Sequence, residues 1–336
     1  MGQGKEVKTG DEPQVEIQER GEIFFFYRPK VAKEEAHSAD DVQRMYIVLR
    51  PESGETAVEV KQDPRSGKEG TKQQEAESQG EGKKLQSEKE TALKDPEHKG
   101  GQGSQEVNIE KQPLLRFIVM GQKSLPTPGK GKKRKKARSR PHWGFVELVT
   151  TNPEDVRNSL KGEEYDTATR GHRRKPEARA VGEGVYRILR HNPGKKMHTH
   201  LIYKLEFPAE GKGSEPQEAL NIEREGSFLI QIKNPEQKGG SSSGFRGLQG
   251  KRKAVFPAKL QGQFGKLRYH PADPPDFLNY EGCEFLLISA SDDIEKELGL
   301  DLEGEVGEEA GKSCSDLIKM LGEVASTKPL LEGTWV

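Results

Sequence analysis

The sequence predicts an α+β protein, predominantly β, made of two similar β-rich halves with few short helices and long disordered inserts. Three observations predict it. The 336-residue chain is 33% charged and only 31% hydrophobic, with a mean hydropathy of -0.90. Ordinary globular domains are about 45–50% apolar, so part of this chain cannot bury enough surface to fold. The apolar residues fall in runs of strand length, not helix length. The order of those runs then occurs twice.

In chain order, 1–14 is polar and is expected to be disordered. A first β-rich half spans 15–160. It opens with the aromatic run Ile23–Tyr27, followed after a polar turn by Met45–Leu49. Segment 52–110 is rich in Lys, Glu, Gln, Gly and Ser, and cannot offset its ordering entropy, so it reads as a disordered insert. Leu114–Met120 is a continuous apolar run, as expected of a strand covered on both faces. A basic linker, 126–140, precedes the strand Trp143–Val149. Thr151-Asn152-Pro153-Glu154 then starts a short helix, with Pro in the first turn and Glu three after Thr.

A basic connector, 161–181, leads to the second half, 182–303. Its strands are Val185–Leu189, His198–Phe207, Phe228–Ile232 and Phe285–Ser289, interrupted by polar stretches at 209–217 and by the Gly/Ser-rich loop 237–250. A second short helix starts near Ser291-Asp292-Asp293. The acidic tail 304–336 is expected to be mostly disordered, with a short amphipathic helix at 315–325 that carries Leu317, Ile318, Leu321 and Val324 on one face and is a docking element for a protein partner.

The repeat is read from four matches in the same order. GEIFFFYRP at 21–29 parallels GEGVYRILRHNP at 182–193, and RMYIVLRPE at 44–52 parallels HLIYKLEFPAE at 200–210. PLLRFIVMG at 113–121 parallels GSFLIQIKNP at 226–235, and HWGFVELVTTNPEDVRNSL at 142–160 parallels GCEFLLISASDDIEKEL at 282–298. Each half thus reads as four strands and a helix. Two such halves are expected to pack as a pseudo-symmetric pair with a ligand cleft between them.

The segments GEIFFFYRPKV, DDVQRMYIVLRPE, RPHWGFVELVTT, EEYDTATRGHR, GEGVYRILRH, HTHLIYKLEFP and PPDFLNYEGCEFLLISA together resemble a group of uncharacterised plant proteins with similar proteins in bacteria. The resemblance covers nearly all of the predicted ordered chain and none of the inserts. Some members carry a BTB/POZ-type label, which this sequence does not support, because a BTB module is about half helix. The resemblance implies no reaction and assigns no site residue.

Several function classes are excluded on composition. No apolar run approaches the roughly 18–20 residues that span a bilayer, so no membrane association is expected. The N-terminal residues contain no hydrophobic stretch, so no secretory signal is expected. Cys283 and Cys314 are the only cysteines, too few for a disulfide framework or a four-thiolate zinc site. An intracellular, reducing compartment follows, either nucleus or cytoplasm. The chain carries no Gly-x-Ser-x-Gly elbow, Walker loop or HExxH motif, so it reads as a non-enzymatic protein with no cofactor.

The candidate functional features are charged blocks. The zero net charge hides them. The run 130–140 has eight Lys/Arg in eleven residues, with Lys132, Lys133, Arg134, Lys135 and Lys136 at its centre, and reads as a nuclear-localisation signal, a phosphate contact or a solvated linker. Arg170, His172, Arg173, Arg174 and Arg179 form a second block, suited either to anion binding or to pairing with surface carboxylates. The third block, 246–268, holds seven Lys/Arg and no acid, including Lys251, Arg252 and Lys253. Phe245, Phe256, Phe264 and Tyr269 interleave with it, either as base-stacking platforms or as anchors for the loop. These blocks suggest nucleic acid or acidic protein segments as partners.

His198 and His200 lie two apart in a strand, on one face with Ile202 and Lys204. They are either solvated or metal ligands completed by His191 or Glu183. The principal reading is a binding or scaffold protein contacting nucleic acid or another polyanion through its basic segments. The alternative is an enzyme or small-ligand protein, with a site between the halves near His198, His200, Arg170 and Arg179.

Overall fold

The structure, a computed structural model, describes residues 5–9, 15–52, 55–59, 104–108, 112–127, 140–192, 197–209, 214–237, 253–291, 294–303, 321 and 324–336, with 55–59 and 104–108 as backbone only. Lys132–Lys136, Lys251, Arg252, Phe245, Cys314 and all of the Gly/Ser-rich loop but Gln237 lie outside the described residues.

The fold is predominantly β, with few short helices. Eight strands close into one antiparallel barrel. The first half supplies β2 (Val15–Pro29), β3 (Val42–Pro51), β6 (Leu115–Met120) and β7 (His142–Thr150). The second supplies β10 (Arg179–His191), β11 (His198–Phe207), β12 (Glu225–Lys233) and β14 (Glu284–Ser291). Each set of four is a meander in chain order. The first strands of the two meanders pair, Gly21 opposite Tyr186, and the last strands pair, Glu284 opposite Phe145.

The four-strand repeat is therefore present in the topology, but the expected cleft between two packed halves is not. An isolated meander leaves an unpaired edge on each side, and joining edge to edge satisfies both rows of backbone groups. A helix follows each meander: α1 (Pro153–Leu160) after β7, and α4 (Ile294–Leu298) after β14. Asn152 caps α1, its side chain accepting from the Glu154 amide at 3.2 Å.

Period two explains the aromatic run in β2. Ile23, Phe25 and Tyr27 point into the lumen with Met45, Ile47, Leu49, Tyr203 and Phe228. Phe24 and Phe26 point outward, where Val156 and Leu160 of α1 cover them together with Leu321, Ala325 and Leu330. Both faces are thus buried, which is why these strands read as unbroken apolar runs. The lumen is filled by pairing large rings with missing side chains: a Cβ on Gly144 would lie 2.5 Å from the Phe285 ring.

Arg28 is fully buried on the outer face, where it ties down the C-terminal end of α1. Its guanidinium donates to the carbonyls of Ser159 at 2.7 Å, Leu160 at 3.2 Å and Lys161 at 3.1 Å, to Pro176, and to the Tyr46 hydroxyl at 3.0 Å. A cation there meets carbonyls that the last helical turn leaves free.

Both mouths are closed by the chain. At the mouth where β2 begins and β12 ends, Phe256, Phe264, Phe277 and Tyr280 form a plug of edge-to-face and stacked rings. At the other mouth Trp335 packs edge-on against Tyr27, centroids 5.3 Å apart.

Several segments expected to be disordered hold regular structure. Within 1–14, β1 (Lys5–Lys8) pairs with β15 (Leu300–Glu303). Within 52–110, β4 (Glu55–Glu59) pairs with β5 (Ser104–Asn108). The connector 161–181, read from sequence only as basic and not as disordered, folds as a hairpin of β8 (Glu163–Thr167) and β9 (Gly171–Lys175). Segment 209–217 leads into α2 (Glu215–Ala219). In the tail, α5 (Lys328–Glu332) packs on the barrel. The sequence reading missed these elements because most are short and polar, so only their partners make them regular. Leu321 and Ala325 are buried in the barrel's own outer cluster, so these two positions of the predicted partner helix are occupied from within the chain. None of the described helices is long and apolar enough to cross a membrane.

Candidate functional site

The second basic block is placed on the β8–β9 hairpin and at the start of β10, where its charges meet acids. Lys175 faces Glu163 at 3.6 Å, and His172 lies 3.3 Å from Asp166 and 3.7 Å from Glu164. Arg174 pairs with Glu34 at 3.2 Å. Arg179 is buried, held by Glu177 at 2.8 Å and by the main-chain oxygen of Glu34 at 3.0 Å. Arg170 sits in the turn between the strands and Arg173 on β9. The register alternates acids and bases across the ladder, which neutralises much of the block.

The structure does not bring this block to the histidines. Arg179 begins β10 and His191 ends it, so the two clusters lie at opposite mouths of the barrel. Glu183 pairs opposite Phe207, also far along the strand from His200. His191 does approach: it is directly opposite His198 in the β10–β11 ladder, and its ring centroid is 5.4 Å from that of His200. His200 is 1% exposed rather than solvated, because α4 covers this stretch of strand.

The third block makes the most open site. Phe256 and Phe264 are buried anchors in the plug, as their alternation with lysines implies. The bases between them face out: Lys253, Lys259 and Lys266 are exposed and Arg268 is half-exposed. The segment 253–268 includes α3 (Ala258–Gln263) and runs back into β13 (Tyr269–Pro271), which pairs with β12. Buried Asn234 fixes the segment to the end of β12. Its amide nitrogen donates to the Leu267 carbonyl at 3.1 Å, and its side-chain oxygen accepts from Gln261 at 3.0 Å.

Tyr269 therefore lands beside Trp143 on the outer face of the barrel. The two half-exposed rings have centroids 6.1 Å apart, tilted by 50°. The Lys233 ammonium lies over the Trp143 ring at 5.6 Å and also pairs with Glu284, and the Arg268 guanidinium lies over Tyr269 at 5.6 Å. Next to them is a cleft of about 160 Å³ lined by Lys233, Pro235, Gln237, Lys253, Ala254, Gly282 and Glu284. That volume is close to that of a cavity able to accept a single benzene-sized ring (about 150 Å³). Sequence reasoning found Tyr269 and Lys253 but missed Trp143 and Lys233, because they lie in other strands and join the patch only through the sheet.

A buried polar group lies inside the lumen. Arg116 makes a two-pronged ion pair with Glu19 at 2.6 and 2.8 Å and donates to Asn279 at 2.8 Å. The Tyr186 hydroxyl donates to the same Glu19 at 2.7 Å. Burial opposes the charge on Arg116, but Glu19 outweighs it and raises the guanidinium pKa further. Burial and the Glu19 charge likewise raise the Tyr186 hydroxyl well above its ordinary value. Asn279, between the plug rings Phe277 and Tyr280, ties the group to the plug. Burial also pushes the Cys283 thiol up, leaving it a protonated core residue.

Comparison of the chain with family models, with curated proteins and with solved structures gives no match, and the site is therefore read from its own chemistry.

Proposed function

We propose that this protein is a non-enzymatic binding protein that takes up single-stranded nucleic acid on the outer face of its barrel. The observation that carries the reading is the pair Trp143–Tyr269, half-exposed and flanked by Lys233, Lys253 and Arg268 beside a cleft of one-ring size. Stacking on such rings is worth about 1–3 kcal/mol per base and tolerates any base, while the lysines meet phosphates. The lumen supports the same reading, since it is filled by side chains and offers the outer surface for binding. In this reading Lys132–Lys136 directs the chain to the nucleus.

The test is a titration with short oligouridine at low salt, followed by tryptophan emission. Trp143 is one of only two tryptophans, and the other, Trp335, lies at the opposite mouth. Quenching with micromolar affinity that falls steeply with added salt is expected; read instead by the anisotropy of a dye-labelled oligouridine, a signal that does not depend on Trp143, Trp143→Ala or Tyr269→Ala should weaken binding about tenfold. Undiminished binding by the Trp143→Ala/Tyr269→Ala double variant, or no binding at low salt, overturns the assignment.

A further inference from the structure

The histidines at the start of β11 are arranged in a way that solvation does not require. His191, His198 and His200 project from the outer face of adjacent strands, His191 opposite His198 and His200 two residues along. His200 is 1% exposed, and its Nε2 is buried with no partner. Its Nδ1 lies 3.1 Å from the Ser227 hydroxyl on β12. Ser227, fully buried, also donates to Glu297 on α4.

This chain sets the tautomer. Ser227 has a single hydroxyl proton. Given to the Glu297 carboxylate, it leaves Oγ to accept from His200, so the imidazole proton resides on Nδ1. The free lone pair is then on Nε2, held in a fixed direction. A carboxylate or hydroxyl that orients an imidazole through its far nitrogen is the usual support of a metal-ligating histidine.

The spacing fits as well. Two imidazoles sharing a tetrahedral zinc at Zn–N of about 2.0–2.1 Å have ring centroids roughly 5 Å apart. His191 and His200 are 5.4 Å apart with their planes at 62°. As they stand, the described residues hold no group of three ligands closed around one point. His191 and His198 are half-buried at strand ends, and closing the three rings on one ion requires their side chains to rotate.

We propose that His200 Nε2, His191 and His198 form a binding site for a divalent transition metal, zinc by ligand type, with water as fourth ligand and Ser227 and Glu297 as positioning residues. The ion binds through the imidazole lone pairs, and no covalent bond of the chain is broken.

The experiment uses the full chain stripped with chelator. Zn²⁺ is titrated in competition with a chromophoric chelator, and Co²⁺ is added separately to read coordination from its visible absorption. One equivalent of Zn²⁺ and a tetrahedral Co²⁺ spectrum with nitrogen ligands are expected. His191→Ala and His198→Ala should each weaken Zn²⁺ at least tenfold, and Ser227→Ala about tenfold while leaving the stoichiometry at one. His200→Ala should abolish the site. If that variant does not fold, the two half-buried histidines decide the question alone. His172→Ala, on the distant hairpin, should change nothing. No uptake of Zn²⁺, an affinity in His191→Ala and His198→Ala unchanged from the parent protein, or a thiolate charge-transfer band from cobalt would each overturn the proposal. Oligouridine binding is read separately, so the metal site and the nucleic-acid reading stand or fall independently.

Discussion

Replacing Glu19 by Gln tests what holds the lumen together. The change keeps the side-chain shape and removes one charge. Arg116, 1% exposed, is then left as a buried cation facing a neutral amide, and because both Glu19 oxygens accept from the guanidinium, the amide NH₂ must point at Arg116 in either orientation. Breaking a buried pair by removing one partner costs about 3–5 kcal/mol. At roughly 2–4 °C per kcal/mol for a domain of this size, the lower figure shifts Tm down by about 6–12 °C. Urea unfolding measures it directly, as a lower midpoint at an unchanged slope.

The Glu19→Gln/Arg116→Met double variant distinguishes pairing from packing. It removes both charges, and buried pairs replaced by apolar groups of similar volume are often neutral in stability. The double variant should therefore be more stable than Glu19→Gln alone, with a coupling energy of at least about 1 kcal/mol. Strict additivity, or a Glu19→Gln cost under about 1 kcal/mol, would refute the view that Arg116 depends on Glu19.

Two further outcomes are expected. His200 has its folded pKa pushed down to about 4, by burial first and then by His191 and His198. Starting from an ordinary value near 6.5, the unfolded chain binds the extra proton between those limits, so stability is lost as pH falls from about 6.5 to 4, by roughly 3 kcal/mol. Glu297, facing His200 through Ser227, has a raised pKa and acts with the opposite sign, so a Glu297→Gln variant should show a steeper acid slope and a His200→Phe variant a shallower one; urea unfolding at pH 4.5 and 7 reads both, and identical slopes in all three proteins would sink the assignment. Gly144→Ala places a Cβ 2.5 Å from the Phe285 ring and should cost about 1–3 kcal/mol by overpacking, measured by thermal unfolding; a neutral effect would show that the ring can move aside.

The barrel strands were readable because each carries its own pattern. A run such as Ile23–Tyr27 or Leu115–Met120 is apolar at every position, and the repeated order of four such runs marked the two meanders before any pairing was visible. The anchors Phe256 and Phe264 and the buried Cys283 followed from the same local logic. Strand β1 did not, since Lys5–Lys8 has no apolar pattern and becomes a strand only against Leu300–Glu303.

The candidate sites divide in the same way. Sequence spacing put His198 and His200 on one face, because strand periodicity is a local property, but left the third member open between His191 and Glu183, which only the strand pairing decided. Their burial, the Ser227–Glu297 support and the separation from Arg179 needed the tertiary structure. So did the Trp143–Tyr269 patch, whose members come from strands far apart in sequence. Composition and alternation set which residues are strands and which faces are apolar, since both depend on near neighbours along the chain. Closure of the meanders into one barrel was decided only in three dimensions, because the free energy of an edge depends on which other edge reaches it.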